Sequence, residues 1–340
     1  MDSLNTSVIC RVCDWLTAGA QVYFVTVLQT WGASPRPPGS LFAFNLTTQQ
    51  QVGSLSGGCI EEDLIIYLQN LDFPSQPKCH IKRYGESPEE NRRYMLPCGG
   101  TMALLIESMS GAEARHHFVE IALYLSKHQQ ILRTVNLSSS VYQLQLIEKQ
   151  SPKTDLIPNH GINIDESSNC LRHRLHPAYR LLLIGAGDVT SYLSDFAKPL
   201  GFQVTICEPR QAFLNRLESF HNRDNIVVAL PDDLIRAEFS DEFTGIICLA
   251  HDPKVDDMAL LEALSHSSAF YIGAMGSQKT SQNRKDRLRA LGIQEDQLSQ
   301  LHAPIGIDIH SKTPEEIAIS ILSDLISARY RHKTLRSLNK

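Results

Sequence analysis

The sequence predicts an α/β protein in which an N-terminal α+β domain is followed by a Rossmann-like domain with a doubly wound parallel sheet. The chain has 340 residues, which is enough for two domains of ordinary size. From residue 180 onward, short apolar stretches alternate with helical ones, which is the pattern of repeated βαβ units. The glycine-rich turn Gly185-Ala-Gly-Asp188 separates the first of these strands from its helix.

Composition and charge narrow the class of protein. The net charge is −5 and no long Lys/Arg run stands out, which argues against a general nucleic-acid-binding protein. No apolar run is long enough to span a bilayer, and the polar start of the chain does not resemble a signal peptide. The 8 cysteines are scattered, as reduced thiols would be. We therefore expect a cytoplasmic protein that binds neither nucleic acid nor membranes.

In the N-terminal half, apolar periodicity and β-branched runs predict three helices and three strands. The helices are expected over 7–19, 60–71 and 113–128, and the strands over 22–28, 41–44 and 102–106. Residues 31–40 form a Pro- and Gly-rich loop, and residues 134–176 combine one strand, at 142–147, with polar loop. The expected division is an N-terminal domain over 1–133, a connecting segment over 134–177 and a Rossmann-like domain over 178–333.

In the C-terminal half, apolar stretches predict five buried strands that alternate with helices. The strands are expected over 181–184, 202–207, 226–230, 245–250 and 270–272. The helices are expected over 188–200, 211–218, 255–265, 278–291 and 314–329. Ligands of such sheets bind at the carboxyl ends of the strands, so the polar residues that follow each strand are the candidates for a binding site.

The turn after the first of these strands is the first candidate. Gly185 permits a tight turn, and Gly187 lets the backbone approach a phosphate at the N-terminus of the helix. Asp188 adds an acid at the same place, and Thr190 stands where the dinucleotide fingerprint has its third glycine. The turn therefore predicts a phosphate-bearing ligand, although it contains only part of the dinucleotide-binding fingerprint.

The second strand of this half ends in an acidic residue. Glu208 lies about 20 residues after the glycine turn, where a ribose-binding acid is expected, and Arg210 follows closely. The order strand, Gly-x-Gly, helix, strand, acid predicts a nucleotide or similar cofactor in contact with these residues. The alternative is a sheet of the same topology that binds no ligand.

Two histidines follow predicted strands, and each has an aspartate nearby. His251 and Asp252 follow the fourth strand, where a His beside an Asp acts as acid, base or ligand, unless Asp252 only caps the next helix. His302 and Asp308 lie in a rigid loop, and we expect both to contact the ligand. The segment Thr313-Pro-Glu-Glu316 is explained as a helix start without any functional role.

A second glycine-rich turn follows the fifth strand and opens a basic helix. A turn of this kind at a helix N-terminus, with cations behind it, predicts a second anion site. Its candidate residues are Gly273, Gly276, Ser277, Lys279 and Arg284. For Arg287 and Arg289, further along the helix, a solvated helix face is the preferred interpretation.

Two cysteines in the N-terminal half are flanked by paired glycines. Cys59 follows Gly57-Gly58 at a predicted helix start, where the helix N-terminus lowers the pKa of a thiol, and Cys98 precedes Gly99-Gly100. Thiolates bind soft metals or carry sulfur, so both cysteines are candidates for catalysis and for contact with a metal. The alternative is a pair of small buried cysteines.

The N-terminal half has two other features of chemical interest. Arg36 lies in the Pro-rich loop, where its guanidinium is a candidate clamp for an anion. Cys10 and Cys13 form a Cys-x-x-Cys pair, but the surrounding pattern is helical and the sequence contains no second pair. Packing in the core is therefore the better interpretation of Cys10 and Cys13.

Taken together, these motifs resemble the XdhC/CoxI family of maturation factors for molybdenum hydroxylases. The resemblance covers both halves in order and rests on Ser34-Pro-Arg36, Gly53-Ser-Leu-Ser-Gly-Gly-Cys-Ile-Glu61, Cys98-Gly-Gly100, Gly185-Ala-Gly187, Ala250-His-Asp252, Tyr271-Ile-Gly273, Gly276-Ser277, His302-Ala-Pro-Ile-Gly-Ile-Asp-Ile309 and Thr313-Pro-Glu-Glu-Ile-Ala318. The sequence departs from many relatives at Asp188, where His is common, and at Glu208, where Asp is common. It also has His310 and Ser311 in a region where a Gly is common.

The resemblance implies a protein that binds molybdenum cofactor, a pterin phosphate that sometimes carries a nucleotide. It implies that the protein protects the cofactor while a cysteine desulfurase supplies the sulfido ligand, and then delivers it to a hydroxylase such as xanthine dehydrogenase. Cys59 and Cys98 would handle molybdenum or sulfur, the Rossmann-like domain would hold the phosphate end, and the protein would be a homodimer. On this basis we expect an accessory protein rather than an enzyme with its own turnover.

The sequence leaves two other functions open. An NAD(P)-dependent oxidoreductase would explain Gly185, Gly187 and Glu208, and another nucleotide is equally compatible with them. That function gives the N-terminal half no role. The other alternative is a scaffold that docks the hydroxylase without binding a cofactor.

Overall fold

The structure is a computed structural model, and it describes residues 3–30, 36–55, 59–75, 78–85, 101–147, 161–165, 167–214 and 226–338. The chain divides into two compact units, one that ends at Pro177 and one that begins at Ala178. Within the described ranges, no helix combines the length and the apolar character that crossing a membrane requires.

A five-stranded antiparallel sheet forms the centre of the N-terminal unit. Its strands are β1 (Val22–Thr30), β2 (Leu41–Asn45), β3 (Gln50–Gly53), β4 (Cys79–Tyr84) and β5 (Met102–Met109), in the order β3-β2-β1-β5-β4. Helix α2 (Cys59–Gln69) packs on one face, and helices α1 (Ser3–Thr17) and α3 (Gly111–Ser126) pack on the other. Because both faces are covered, β1 is an almost continuous apolar run, which is why the sequence predicted it.

A second antiparallel sheet follows, and most of it lies in the segment that the sequence presented as a connection. Its strands are β6 (Ile131–Asn136), β7 (Tyr142–Leu146), β8 (Ile162–Asp165) and β9 (Cys170–Leu175), in the order β7-β6-β9-β8. Apolar side chains of this sheet, such as Val135 and Leu171, share a core with Leu28 and Leu105 of the first sheet. The three-part division of the chain remains a prediction.

A buried ion pair joins the two sheets of the N-terminal unit. Arg133 on β6 donates from its two terminal nitrogens to the Glu107 carboxylate on β5, at 2.9 and 2.8 Å, and both side chains are almost fully buried. The Arg133 Nε donates to Nε2 of His117 at 2.9 Å. Burial, together with the charge of Arg133, lowers the pKa of His117 to about 2, so this imidazole is a neutral acceptor.

The C-terminal unit contains a six-stranded parallel sheet. Its strands are β10 (Arg180–Ile184), β11 (Gln203–Cys207), β12 (Ile226–Val227), β13 (Thr244–Cys248), β14 (Tyr271–Ala274) and β15 (Leu301–His302). Their order is β12-β11-β10-β13-β14-β15, so the direction of winding reverses between β10 and β13. The predicted doubly wound parallel sheet is confirmed, and ligands of such sheets bind at this switch point.

Helices cover both faces of the parallel sheet. They are α4 (Asp188–Ala197), α5 (Gln211–Leu214), α6 (Pro231–Ala237), α7 (Pro253–His266), α8 (Gln278–Ala290), α9 (Glu295–Leu298) and α10 (Pro314–Leu338). Apolar residues of α4 and α10 fill one face, and those of α6, α7 and α8 fill the other. The strand predicted over 226–230 ends at Val227, because Leu230 already caps the helix that Pro231 begins.

Candidate functional site

The glycine turn after β10 combines one constrained and one open glycine. Gly185 has φ +109°, and a Cβ added there would lie 2.6 Å from the Cα of Ala250, which follows β13. Gly187 caps α4 with extended backbone, and a Cβ added there would meet no atom within 4 Å. Asp188 is exposed as the first residue of the helix. The turn therefore leaves open space at the helix N-terminus, as a bound phosphate requires.

The carboxylate of Glu208, at the end of β11, is hydrogen-bonded to this turn. Its buried carboxylate accepts the backbone N–H of Ala186 at 2.9 Å, and it accepts the backbone N–H, Nε and one terminal nitrogen of Arg210 at 3.0, 2.7 and 2.9 Å. Burial acts to raise the pKa of Glu208, but the Arg210 and backbone donors outweigh it and leave the pKa lowered. Each carboxylate oxygen thus accepts two hydrogen bonds, and Glu208 ties the turn to Arg210.

Arg210 spans the switch point of the sheet. Its guanidinium lies 4.0 Å from the centre of the Phe213 ring, and one terminal nitrogen is 3.4 Å from the carbonyl oxygen of Ala250. The same nitrogen lies 3.7 Å from the Asp252 carboxylate. Since Arg210 follows β11 and Ala250 follows β13, the guanidinium crosses the end of β10, which lies between them. This partly exposed cation therefore stands beside the open glycine turn.

His251 and Asp252 follow β13, which neighbours β10 across the switch point from β11. His251 is exposed and has φ +56°, a left-handed conformation that is unusual for a histidine. Partial burial of the ring and the charges of Arg284 and Arg210 lower the pKa of His251, which favours the neutral imidazole. Asp252 accepts the backbone N–H of Lys254 at 3.0 Å and caps α7, so the capping interpretation of Asp252 is confirmed.

Arg284 is buried beneath the second glycine turn rather than exposed in it. Its guanidinium pairs with Asp256 at 3.3 Å and Asp257 at 3.4 Å, and it donates to the carbonyl oxygen of Met275 at 3.1 Å. Asp256 also accepts the backbone N–H of Ala250 at 3.2 Å. Burial raises the pKa of Asp256 to about 6, although Arg284 opposes this effect. Arg284 and Asp256 thus fix the turns after β13 and β14 to α7.

The second glycine turn is close-packed. A Cβ at Gly273 would lie 2.6 Å from the side chain of Ile305, and one at Gly276 would lie 3.1 Å from the side chain of Thr280. Ser277 caps α8 by accepting the backbone N–H of Thr280 at 3.1 Å. Lys279 is exposed in the first turn of this helix. Of the two predicted cations, Lys279 therefore faces solvent. Arg284 is buried and donates to the backbone carbonyl oxygen of Met275.

His302 has a carboxylate partner that the sequence did not suggest. It ends β15, pairs with Gly273 in the sheet, and its Nδ1 lies 2.8 Å from the carboxylate of Asp324 on α10. Asp308, the predicted companion, is highly exposed and accepts the backbone N–H of His310 at 3.0 Å. The segment 313–316 forms the predicted helix cap, because Glu316 accepts the backbone N–H of Thr313.

In the N-terminal unit, the sheet register relates the two cysteine motifs. Thr30 at the end of β1 pairs with Met102 at the start of β5, which pairs with Tyr84 at the end of β4. Gly53, at the end of β3, pairs with Phe42 near the start of β2. Because neighbouring strands are antiparallel, Thr30, Leu41, Gly53, Tyr84 and Met102 all lie at the same end of the sheet. In the sequence, Arg36 and both cysteine motifs adjoin these strand ends.

The residues around Cys59 are positioned by a glycine and a glutamate. Gly53 has φ +95°, and a Cβ added there would lie 2.8 Å from the Cα of Phe42. Glu61 accepts the hydroxyl of Ser54 at 2.8 Å and the backbone N–H of Leu55 at 2.6 Å. Ser54 and Leu55 are thereby held against the first turn of α2, whose first residue is Cys59.

Several predicted residues lie outside the part of the chain that the structure describes. They are Cys98 and the glycines Gly57, Gly58, Gly99 and Gly100, and for Cys59 the description covers the backbone. Arg36 is half-buried in the loop before β2. Of the Cys-x-x-Cys pair, Cys13 packs against the core but Cys10 is exposed, so the prediction of core packing was wrong for Cys10.

Comparisons with known proteins agree with this architecture. Residues 15–74 match the model of the XdhC and CoxI family, and residues 181–325 match that of the XdhC Rossmann domain. The chain is 25% identical over 325 residues to a Bacillus subtilis protein named as a probable subunit of xanthine dehydrogenase, covering 92% of this chain and 94% of the relative. It is 24% identical over 322 residues to the molybdenum cofactor insertion chaperone PaoD of Escherichia coli, covering 92% and 85%.

A solved structure shares the fold along nearly the whole chain. The crystal structure of a xanthine dehydrogenase from Bacillus halodurans superposes with a TM-score of 0.71 at 25% identity, and 96% of each chain is covered. The two family models match in the order that the motifs predicted, one in each half of the chain. The chain belongs to the XdhC/CoxI family.

Proposed function

We propose that this protein binds molybdenum cofactor and inserts it into a hydroxylase of the xanthine dehydrogenase type. A relative that matches 92% of the chain is named as a molybdenum cofactor insertion chaperone, and another as a probable xanthine dehydrogenase subunit. The observation that carries the proposal is the open turn at Gly187, beside the partly exposed guanidinium of Arg210. A helix N-terminus with a nearby cation suits the phosphate of the pterin.

The N-terminal unit is proposed to handle the molybdenum end of the cofactor. The strands that flank the two cysteine motifs end on one side of the sheet, which supports a joint role for Cys59 and Cys98. Thiolates are soft ligands, suited to molybdenum or to carrying sulfur. In this proposal a cysteine desulfurase supplies the sulfido ligand while the protein, a cytoplasmic homodimer, protects the cofactor and then delivers it.

An NAD(P)-dependent oxidoreductase is the second candidate, and the strand order of the parallel sheet favours it. The hydrogen bonding of Glu208 weighs against it, because the acid that would bind a ribose already accepts four N–H groups. Nicotinamide fluorescence on addition of NADH or NADPH tests this candidate. Saturable binding of either would favour the oxidoreductase over the chaperone.

The proposed function is tested by retention of molybdenum cofactor. The purified full chain is incubated with the cofactor, unbound ligand is removed, and retained molybdenum and pterin are measured. We expect retention by wild type, and at least about a tenfold loss in Cys59→Ala or Cys98→Ala if a thiol binds the metal directly. Cys10→Ala is the matched control, because Cys10 is an exposed thiol on α1 outside both motifs.

A separate variant tests the phosphate end. Gly187→Ala adds a methyl group where no atom lies within 4 Å, so the fold should be preserved while close approach of a phosphate is blocked. We expect reduced retention of both molybdenum and pterin by this variant. Absence of retention by wild type would contradict the proposed function directly.

A further inference from the structure

A cluster of titratable side chains lies in the N-terminal unit, at the junction of its two sheets. At its centre, Arg133 on β6 donates from both terminal nitrogens to the Glu107 carboxylate on β5. His117 on α3 and His173 on β9 are both buried beside Arg133. The proposed function gives none of these four residues a role.

The hydrogen bond between Arg133 and His117 exists only while the imidazole is neutral. Arg133 donates from Nε to Nε2 of His117 at 2.9 Å, and a guanidinium has no atom that accepts a hydrogen bond. Nε2 of His117 is therefore the unprotonated nitrogen. A proton on Nε2 would remove this acceptor and place a second positive charge against the guanidinium. Protonation of His117 is thus incompatible with the observed arrangement of the junction.

The sheet register places His173 next to the same guanidinium. His173 on β9 pairs directly with Arg133 on β6, so the two side chains are neighbours on one face of the sheet. His173 is 3% exposed, and within the described part of the chain its Nδ1 has no hydrogen-bond partner. An imidazolium at this position would have no counter-ion of its own, because the Glu107 carboxylate already pairs with Arg133.

The electrostatics of the two histidines agree with this geometry. Burial, together with the charge of Arg133, lowers the pKa of His117 to about 2 and the pKa of His173 to about 3. Both rings are therefore neutral in the folded protein at pH values where an ordinary histidine is already charged.

Other titratable groups approach the cluster from three elements. From β7, the ring of Tyr142 packs 4.1 Å from that of His117, and burial raises the pKa of this phenol to about 12. From β4, Cys79 lies close to the ion pair, and burial raises the pKa of its thiol. From α3, the exposed Glu113 and His116 act on the cluster electrostatically. The phenol and the thiol are uncharged below neutral pH, so neither supplies a negative charge that would stabilise an imidazolium.

We infer that the junction of the two sheets is an acid-sensitive latch, which is closed while His117 and His173 are neutral and is released when they take up protons. Release would separate the second sheet, through β6 and β9, from its contacts with β5 and α3. The inference goes beyond the proposed function, because it concerns the opening of the N-terminal unit and depends on no ligand.

The direction and size of the effect follow from linkage. Because folding lowers the pKa of both histidines from 6.5, their stabilisation is fully present above that pH and is lost as the pH falls toward about 3. From pH 6.5 to about pH 5, each histidine should lower the ratio of closed to open molecules about 30-fold. In the C-terminal unit, Asp256 acts in the opposite direction, because its raised pKa makes its contribution larger in acid. Mild acid should therefore open the N-terminal unit first.

The test is hydrogen exchange of the full chain, read by mass spectrometry of its peptides. Exchange is measured at about pH 7 and about pH 5 and corrected for the intrinsic pH dependence of amide exchange. We expect the protection of β6 and β9 to fall at least about a hundredfold at the lower pH, while that of β10 and β13 changes much less. Equal protection of β6 and β9 at the two pH values overturns the inference, as does an equal fall in both units. This comparison uses wild type alone.

A double variant assigns the response to the histidines. His117→Gln keeps a side-chain oxygen that can accept from Arg133 Nε, His173→Leu keeps an apolar core, and neither new side chain titrates. The double variant should lose most of the acid response. His116→Gln is the matched control, because His116 is the exposed histidine next to His117 on the same helix, and it should respond as wild type does. An acid response that is unchanged in the double variant would assign it to other groups and overturn the inference.

Discussion

Gly185 and Ala250 are in such close backbone contact that a Cβ at Gly185 would lie 2.6 Å from the Cα of Ala250. The contact joins the turn after β10 to the residue that follows β13, on the two sides of the switch point. Gly187, two residues later, has open space instead. The two glycines of one motif therefore differ: backbone contact constrains the first, and the second borders open space.

Substitution of Gly185 by alanine should destabilise the C-terminal unit. The new methyl group would overlap backbone atoms of Ala250, and φ +109° is strained for alanine, so we expect a cost of about 2–4 kcal/mol. Gly187→Ala is the control, with an expected cost of about 1 kcal/mol or less. Thermal unfolding measures both, and equal stability of the two variants would contradict the assignment.

The sequence predicted this turn because its signal is local. A strand, two glycines and a helix occupy adjacent positions, and each residue type is explained by backbone geometry. The partners of His302 and Arg284 carry no such signal, since Asp324 is 22 residues from His302 and Asp256 is 28 residues from Arg284. On their own helices these aspartates resemble surface residues, and only the tertiary fold brings them to their partners.

Three of the four strands of the second sheet, β6, β8 and β9, were missed for a related reason. In β9, buried Leu171, His173 and Leu175 alternate with the more accessible Arg172 and Arg174, so charged and polar residues dilute the strand pattern. His173 is fully buried, and burial with the charge of Arg133 lowers its pKa to about 3. Because His173 lies between two arginines, the sequence pattern there is typical of a polar loop, although the neutral imidazole lies in the core.

The buried pair of Glu107 and Arg133 should be costly to break. Glu107→Gln leaves the guanidinium without its counter-ion in the core, and we expect a loss of about 3–5 kcal/mol in the free energy of unfolding of the N-terminal unit. The double variant Glu107→Leu with Arg133→Met removes both charges and should be less destabilised than the single one. Denaturant unfolding decides between these outcomes, and a double variant that is worse than Glu107→Gln would contradict them.

Asp256 should make stability depend on pH in a specific direction. Folding raises the pKa of Asp256 to about 6 from an ordinary value of 3.8, so its contribution is fully present below the unfolded value and is lost as the pH rises through about 6. Relative to wild type, Asp256→Asn should therefore gain about 1–3 kcal/mol of stability between about pH 4 and about pH 7. Unfolding of both proteins at several pH values measures this difference.

The control for this pH dependence is Asp286→Asn. Asp286 is an exposed carboxylate on α8 that pairs with Arg289 near the surface, so its removal should change stability little across the same range. A wild-type stability curve that runs parallel to that of Asp256→Asn across this whole pH range would contradict the raised pKa.

Glu61 should affect cofactor binding more than folding. Its carboxylate holds Ser54 and Leu55, five and four residues before Cys59, against the start of α2. Glu61→Gln keeps the size of the side chain but weakens its acceptance of the Leu55 N–H, at a cost of about 1 kcal/mol. If Cys59 contacts the cofactor, a small displacement of Ser54 and Leu55 should lower retention of molybdenum severalfold.

Glu62 provides the matched control for this prediction. It is the neighbouring glutamate on the same helix turn and is exposed, so Glu62→Gln removes an equal charge from the start of α2 without releasing the loop. Retention that falls in Glu61→Gln but not in Glu62→Gln would attribute the effect to the hydrogen bonds of Glu61 with Ser54 and Leu55. An equal fall in both variants would instead indicate that the negative charge at the helix N-terminus is responsible, since both carboxylates interact with the same helix dipole.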